Sequence, residues 1–327
     1  MTTGAASAHV FPWLVVLSLP AVLAGFVGVA YRLAAQGRTI RARLDALELG
    51  SASRLPGEPA YFHRARVFRR FEVNNAFEKE NIVSAVAYGD EYGVGDDPLA
   101  PDDVVVDVGA HVGTFSYLCH TLGSRAIHSY EPSPVNFDGL RRNLASLPGT
   151  HLRQLAVWRS DGAAADAPLV LSGPSGDNTG ACSVVTGRNP PIFAHRGDAG
   201  PAAPAQGVRG VALDAILRTF ARVRLLKLDC EGSEFPILLT SRELGRVHRL
   251  VAEVHEVYEA EMALLAPESR VAGYSAYRVE HLATRLREDG FEVRTQAASP
   301  GLHLLDARRP PARVAPAGAT PAAGSPS

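Results

Sequence analysis

Residues 103–116 read DVVVDVGAHVGTFS, a β-branched run that ends at two glycines four residues apart. Such a run delivers a strand to a tight turn and then to a helix, and a ligand can sit over that turn. Nicotinamide dinucleotides, nucleotide phosphates and sulfonium methyl donors all bind at turns of this kind. A dinucleotide turn needs G-x-G-x-x-G, with a second glycine that lets the pyrophosphate approach. His111 stands at that position. A phosphate loop needs G-x-x-x-x-G-K-[ST]; Gly109 and Gly113 are one residue too close for it, and Thr114 replaces the lysine. What remains is an acid before the turn (Asp107), no lysine or arginine within it, and a helix after it. That pattern suits a ligand that is cationic at one end and lacks phosphate, such as S-adenosylmethionine, whose carboxylate can take N–H groups at the helix N-terminus.

A ribose-binding carboxylate is expected at the end of the next strand, roughly 20 residues on. Glu131 closes AIHSYE (126–131), where Pro132 and Pro134 halt the strand. Asp107, Gly109, His111, Gly113 and Glu131 are therefore the candidate donor-binding residues. The competing reading makes Asp107 and Glu131 simple helix caps.

Further strand-like runs are VVVDV (104–108), RQLAVW (153–158), RLLKLD (224–229) and RLVAEVH (249–255), separated by helix-like segments such as PVNFDGLRRNLASL and SEFPILLTSREL. This alternation implies crossover units and a parallel sheet covered on both faces. Two final strands, FEVRT and LHLLDA, follow a helix closed by Gly290. The Pro-, Gly- and Ala-rich stretch 187–207 reads as a mobile surface loop, and 310–327 as a disordered tail.

The chain has 327 residues and a net charge of −1, which gives no basis for nucleic-acid binding. Cys119, Cys182 and Cys230 are far apart and lack metal-ligand spacing, so neither a disulfide framework nor a zinc site is indicated, and a reducing compartment fits best.

Residues 10–31 carry no charged side chain, and 22 helical residues span about 33 Å, enough to cross a bilayer core. Arg32, Arg38, Arg41 and Arg43 follow at once, while residues 1–9 have no lysine or arginine. The positive-inside rule puts the N-terminus outside and the rest in the cytoplasm. The competing reading is a cleaved signal peptide, against which stand the missing positive n-region and the long apolar core. The expected organisation is an extracytoplasmic N-terminus (1–9), a single transmembrane helix (10–31), a juxtamembrane linker (32–60), a catalytic domain at the cytoplasmic membrane face (61–309) and the tail.

Taken together, DVGAHVGTFS (107–116), YEPSPVNFDGLRRN (130–143), LDAIL (213–217), LLKLDCEGSE (225–234) and AEVHE (252–256) resemble the FkbM family of S-adenosylmethionine-dependent methyltransferases. The resemblance covers roughly residues 70–305. It implies a class I methyltransferase fold, a Rossmann-like doubly wound sheet that is mostly parallel with an antiparallel last strand. It also implies O-methylation of hydroxyls on sugars or polyketide macrocycles. The chain departs from the family in His111, where asparagine is commoner, in the long insert before LDAIL and in the N-terminal apolar segment.

Methyl transfer to an alcohol requires alignment, plus a base or a metal that develops alkoxide character. Asp229 ends the fourth parallel strand, with Glu231 just beyond it, and Ser233 is placed to N-cap the next helix. Glu253 and His255 lie two apart on the fifth strand and so point to one side. Asp229, Glu231 and His255 are the catalytic candidates, with His255 the natural base given its near-neutral reference pKa. Asp229 and Glu253 could alternatively hold Mg²⁺. The structural alternative makes Lys227, Asp229 and Glu231 ion-pair partners and His255 a satisfied, half-buried side chain. The expected acceptor is a small molecule, a glycan precursor or a lipid-linked glycan. N-methylation by the same fold, a non-catalytic membrane-tethered scaffold and, more remotely, a dehydrogenase are the competing functions.

Overall fold

The computed structural model describes residues 64, 68–162, 168–174, 178–186 and 202–310. The apolar segment 10–31, the linker 32–60, most of the insert 187–207 and the tail beyond Pro310 lie outside the described residues. Among the described residues no helix is long and apolar enough to cross a membrane.

Seven strands form the main sheet: β1 (Val104–Val108), β2 (Ala126–Tyr130), β3 (Thr150–Arg153), β7 (Val223–Leu228), β8 (Val247–His255), β9 (Glu292–Ser299) and β10 (Leu302–Arg308). Their order is β3-β2-β1-β7-β8-β10-β9. The first five are parallel, and β10 runs antiparallel to both β8 and β9. This is the doubly wound, mostly parallel sheet expected, with the antiparallel turn-back at its end. The order reverses between β1 and β7, and open α/β sheets bind ligands beyond the carboxyl ends of strands at such a point.

The strands read as near-continuous apolar runs because both faces are covered. Val105, Leu225 and Val251 pack into one core cluster, while Val106, Leu226, Leu250 and Ala252 pack into the other. Alternate residues on a strand face opposite ways. That parity puts Asp107, Lys227, Glu253 and His255 on the same face as Val105, Leu225 and Val251. Helix Thr114–Leu122 covers this face, together with an N-terminal segment, Ala76–Glu78 continuing as π-helical Lys79–Tyr88. No motif marks that segment in the sequence.

Two expectations about strands need correcting. RQLAVW is not one strand. Its start ends β3 in the main sheet, and Ala156–Trp158 forms β4 in a second, three-stranded sheet ordered β4-β6-β5, with β5 at Pro168–Pro174 and β6 at Ala202–Ala212. The end of the 187–207 stretch is likewise strand, not loop, because residues 202–207 belong to β6. Local composition (AAPAQG) disfavours strand there. Antiparallel pairing with β5, Leu171 opposite Gln206 and Val170 opposite Gly207, supplies the structure instead.

Candidate active site

A cavity of about 600 Å³ opens beyond the carboxyl ends of β1, β2, β7 and β8. One end is walled by Gly109, His111, Glu131 and Val157, the other by Asp229, Glu231, Glu253 and His255.

The first end is made mainly of backbone. Gly109 has φ +73°, and a Cβ there would overlap the Asp229 carbonyl oxygen, so β1 and the chain leaving β7 touch at this point. Gly113 has φ +95° and starts helix Thr114–Leu122; a Cβ would overlap Leu144. The Gly109 and Ala110 N–H groups both donate to the Tyr130 carbonyl at 3.0 Å, tying the turn to the end of β2. Glu131 is buried, and its two oxygens accept the His111 N–H at 2.9 Å and the Ser133 N–H at 2.8 Å. Burial pushes its carboxyl up, against the opposing pull of His111 and those two N–H groups. Each oxygen keeps a lone-pair site, so two vicinal ribose hydroxyls can be received.

His111 takes a left-handed backbone (φ +51°), and its Nε2 lies 2.9 Å from the Thr179 hydroxyl and 3.3 Å from Glu78. Thr179 also bonds Glu78 and Asn136. This latch joins the turn to the N-terminal segment and to the 178–183 stretch. Asn143 supports the same region by accepting the Glu72 N–H and donating to the Glu72 and Val112 carbonyls, each at 2.8 Å. It does not reach Glu131. Trp158, at the end of the RQLAVW run, is fully buried in the core beside the cavity rather than in its wall.

Asp107 is placed differently from its expected role. It is fully buried behind the turn, accepts the Ser116 hydroxyl at 2.6 Å and lies 3.5 Å from the Lys227 ammonium. It is not part of the cavity wall.

The second end is a cluster of titratable groups. Glu231 (φ +52°) and Gly232 (φ +92°) both take left-handed backbone. For a non-glycine residue this costs about 1–3 kcal/mol and is typical of functional sites. The bend turns two N–H groups inward, where the Glu234 carboxylate accepts Cys230 N at 2.7 Å and Gly232 N at 2.9 Å. Glu234 therefore caps this bend. Ser233, the expected N-cap, makes no capping bond.

His255 Nε2 lies 3.4 Å from Glu231, and Nδ1 lies 3.6 Å from Glu234. Burial opposes a charge on the imidazole, yet the Glu231, Glu234 and Glu253 carboxylates hold its pKa well above the usual range. These carboxylates favour the charged imidazole, which places His255 as the partner that aligns Glu231 and Glu234. Burial pushes Glu231 up to about 7; His255 opposes this, and Asp229 and Glu234 add to it. Glu253 is raised by burial and by Asp229, and Glu91, from the N-terminal segment, by the same two causes. Asp229 lies just past the end of β7, accepts the Tyr92 hydroxyl at 3.1 Å and lies 3.5 Å from Lys227.

The Mg²⁺ expectation does not fit this donor set. The Lys227 ammonium already stands beside Asp229 and competes with a cation for that carboxylate. Among the described residues no group of three or more His, Cys, Asp or Glu side chains is arranged to hold a metal ion.

Lys227, Tyr92, Glu91 and Glu78 escaped assignment as functional residues. Only Lys227 left a signal, as a cation between two apolar residues near the carboxyl end of its strand. The three cysteines are free, and Cys119 is buried, as a small apolar side chain would be.

The model of the methyltransferase FkbM domain matches residues 107–293. The chain is 32% identical over 184 residues to 31-O-demethyl-FK506 methyltransferase FkbM of Streptomyces tacrolimicus, covering 49% of this chain and 68% of that one. It is 26% identical over 159 residues to hexuronic acid methyltransferase AglP of Haloferax volcanii, covering 47% of this chain and 56% of AglP. It is also 26% identical over 252 residues to the AMB antimetabolite synthetase AmbE of Pseudomonas aeruginosa, covering 67% of this chain and 11% of AmbE. The matched region runs from the acid before the donor turn to the penultimate strand of the sheet, so the chain belongs to the FkbM family of S-adenosylmethionine-dependent methyltransferases.

Proposed function

We propose that the protein O-methylates a hydroxyl of a sugar, glycan precursor or polyketide-like natural product. The observation that carries this reading is Glu231, a carboxylate whose pKa is pushed up to about 7 in the same cavity as Gly109 and Glu131. A base is most effective when its pKa lies near the working pH. Two relatives, a 31-O-demethyl-FK506 methyltransferase and a hexuronic acid methyltransferase, support an acceptor of this class.

In this reading Glu131 accepts the ribose hydroxyls of S-adenosylmethionine, while the Gly109–Gly113 turn, held by its own N–H groups to Tyr130 and Glu131, shapes the wall against which the donor lies. The bound donor supplies an electrophilic methyl group. Glu231 takes the proton from the acceptor hydroxyl. The His255 imidazolium, clamped by Glu234, keeps Glu231 aimed into the cavity and favours its ionised form. Asp229, held by Tyr92 and Lys227, fixes the acceptor beside it.

The apolar segment 10–31 and the arginines after it support a membrane-tethered enzyme with its catalytic domain, 61–309, on the cytoplasmic side, where the donor is made. A membrane-proximal acceptor follows from that placement.

Incubating the purified protein with methyl-labelled donor and a glycolipid extract tests the proposal. Label recovered in an ether-linked methyl group of the glycan fraction is the expected result. Label on nitrogen would establish the N-methyltransferase alternative, and donor binding with no transfer to any extract would leave a scaffold. For the topology, a reporter fused after Ser327 should be active only in the cytoplasm; activity outside would reverse the orientation.

A further inference from the structure

We propose that Lys227 is a positioning residue of the methyl-transfer site: one buried ammonium holds the donor turn and Asp229 in a common frame. The inference rests on the donor-binding reading of the turn.

Lys227 sits within β7, with its Cα paired to that of Asp107 on β1, and its side chain is only 5% exposed. Its shortest contact is not to a carboxylate. Nζ donates to the Gly109 carbonyl at 2.7 Å, while Asp107 Oδ1 and Asp229 Oδ2 each lie 3.5 Å away. A lysine that served only to neutralise Asp107 would need no bond to the turn. The Gly109 carbonyl belongs to the peptide whose N–H, on Ala110, donates to Tyr130. Fixing that peptide plane therefore fixes the turn against the strand that carries Glu131. On its other side the ammonium faces Asp229, which also receives the Tyr92 hydroxyl, and Nζ lies 5.8 Å from the Tyr92 ring centre. Both halves of the cavity and the N-terminal segment thus meet at one atom. Lysine suits this task because its ammonium is a compact charge with three donors that can point in different directions.

Removing Lys227 alone would leave Asp107 as an uncompensated buried charge, which is strongly destabilising. The informative variant therefore combines Lys227→Met with Asp107→Asn. Three quantities are measured: the thermal midpoint, the affinity for S-adenosylhomocysteine by calorimetry, and backbone amide exchange at 109–113 and 229–233. The expected result is a folded protein whose affinity for S-adenosylhomocysteine falls roughly tenfold, the scale of one lost charged hydrogen bond. Exchange should speed up in both segments together, which a purely local structural role would not produce. A folded double variant with affinity within about twofold of the parent, or with faster exchange in one segment alone, overturns the proposal.

Should the double variant fail to fold, Lys227→Arg decides the question. It keeps the charge but replaces the ammonium with a planar fork, which cannot take the same place against the Gly109 carbonyl. A comparable loss of affinity is expected, and parental affinity refutes the role. If the parent protein itself does not bind S-adenosylhomocysteine, the donor reading of the turn fails first, and this is visible before any variant is made.

Discussion

The two ends of the cavity are built on different physics. At the donor end, backbone N–H groups, two left-handed glycines and a carboxylate already bonded to two N–H groups fix a shape. At the acceptor end of the proposed reading, Glu231 and Glu253 are raised by burial, the neighbouring carboxylates push the His255 imidazole up, and the backbone at Glu231 is bent into a costly region. The first end is close to satisfied without a ligand. The second stores repulsion and strain that an acceptor and a proton transfer can relieve. The proposed function assigns recognition to the end whose hydrogen bonds are made, and chemistry to the end whose carboxylates are raised by burial.

The largest expected effect breaks the second end alone. Glu231→Gln should lower turnover by about 10²–10⁴-fold while leaving calorimetric affinity for S-adenosylhomocysteine near that of the parent. With the acceptor found in the extract assay, the parent rate should rise as pH passes through about 7, and the variant should lack that limb. Stability should run the opposite way. Because burial raises this carboxyl above its unfolded value, the folded state holds more protons between the ordinary carboxylate range and about 7, so stability falls as pH rises there. Glu231→Gln should flatten that slope in denaturant titrations; an unchanged slope would assign it to other groups.

Gly109→Ala strikes the boundary between the two ends, since the new Cβ would overlap the Asp229 carbonyl at a backbone conformation that L residues avoid. A loss of about 2–4 kcal/mol in unfolding free energy is expected, and a parental urea midpoint would contradict the close contact. Glu131→Ala confines the damage to the donor end. It should weaken S-adenosylhomocysteine binding by about 1.5–3 kcal/mol, and no change would remove Glu131 from the donor site. The smallest effect is that of Asn143→Ala, about 1–2 kcal/mol of stability. It frees the strap from Glu72 to the donor turn and should leave the pH dependence of the rate unaltered.

The two ends also differ in how far the chain alone reveals them. Gly109, Gly113 and Glu131 are legible because a strand, a turn and the next strand's end are close in sequence, and each demands a particular residue type. Asp107 illustrates the limit of that reasoning. Its spacing points to the donor, but alternation along β1 turns it to the face where Lys227 and Ser116 wait. The setting of His255 is hidden for a related reason: Glu231 and Glu234, on another element, lie against its two ring nitrogens. The second sheet was hidden in residues 202–207, which have little strand preference of their own and are ordered by β5. Likewise the N-terminal segment that brings Glu91 and Tyr92 into the cavity carries no motif.

The sequence by itself determined the alternation of strands and helices, the glycine turn after the first strand and the family. Those rest on local spacing, in which backbone conformation follows from residues a few positions apart. Only the tertiary structure decided which carboxylates face the cavity, which of them keep a proton and where the single buried lysine of the sheet is anchored. Those properties depend on burial and on charges brought together from separate strands and loops, and no local pattern encodes an electric field made by side chains on different elements.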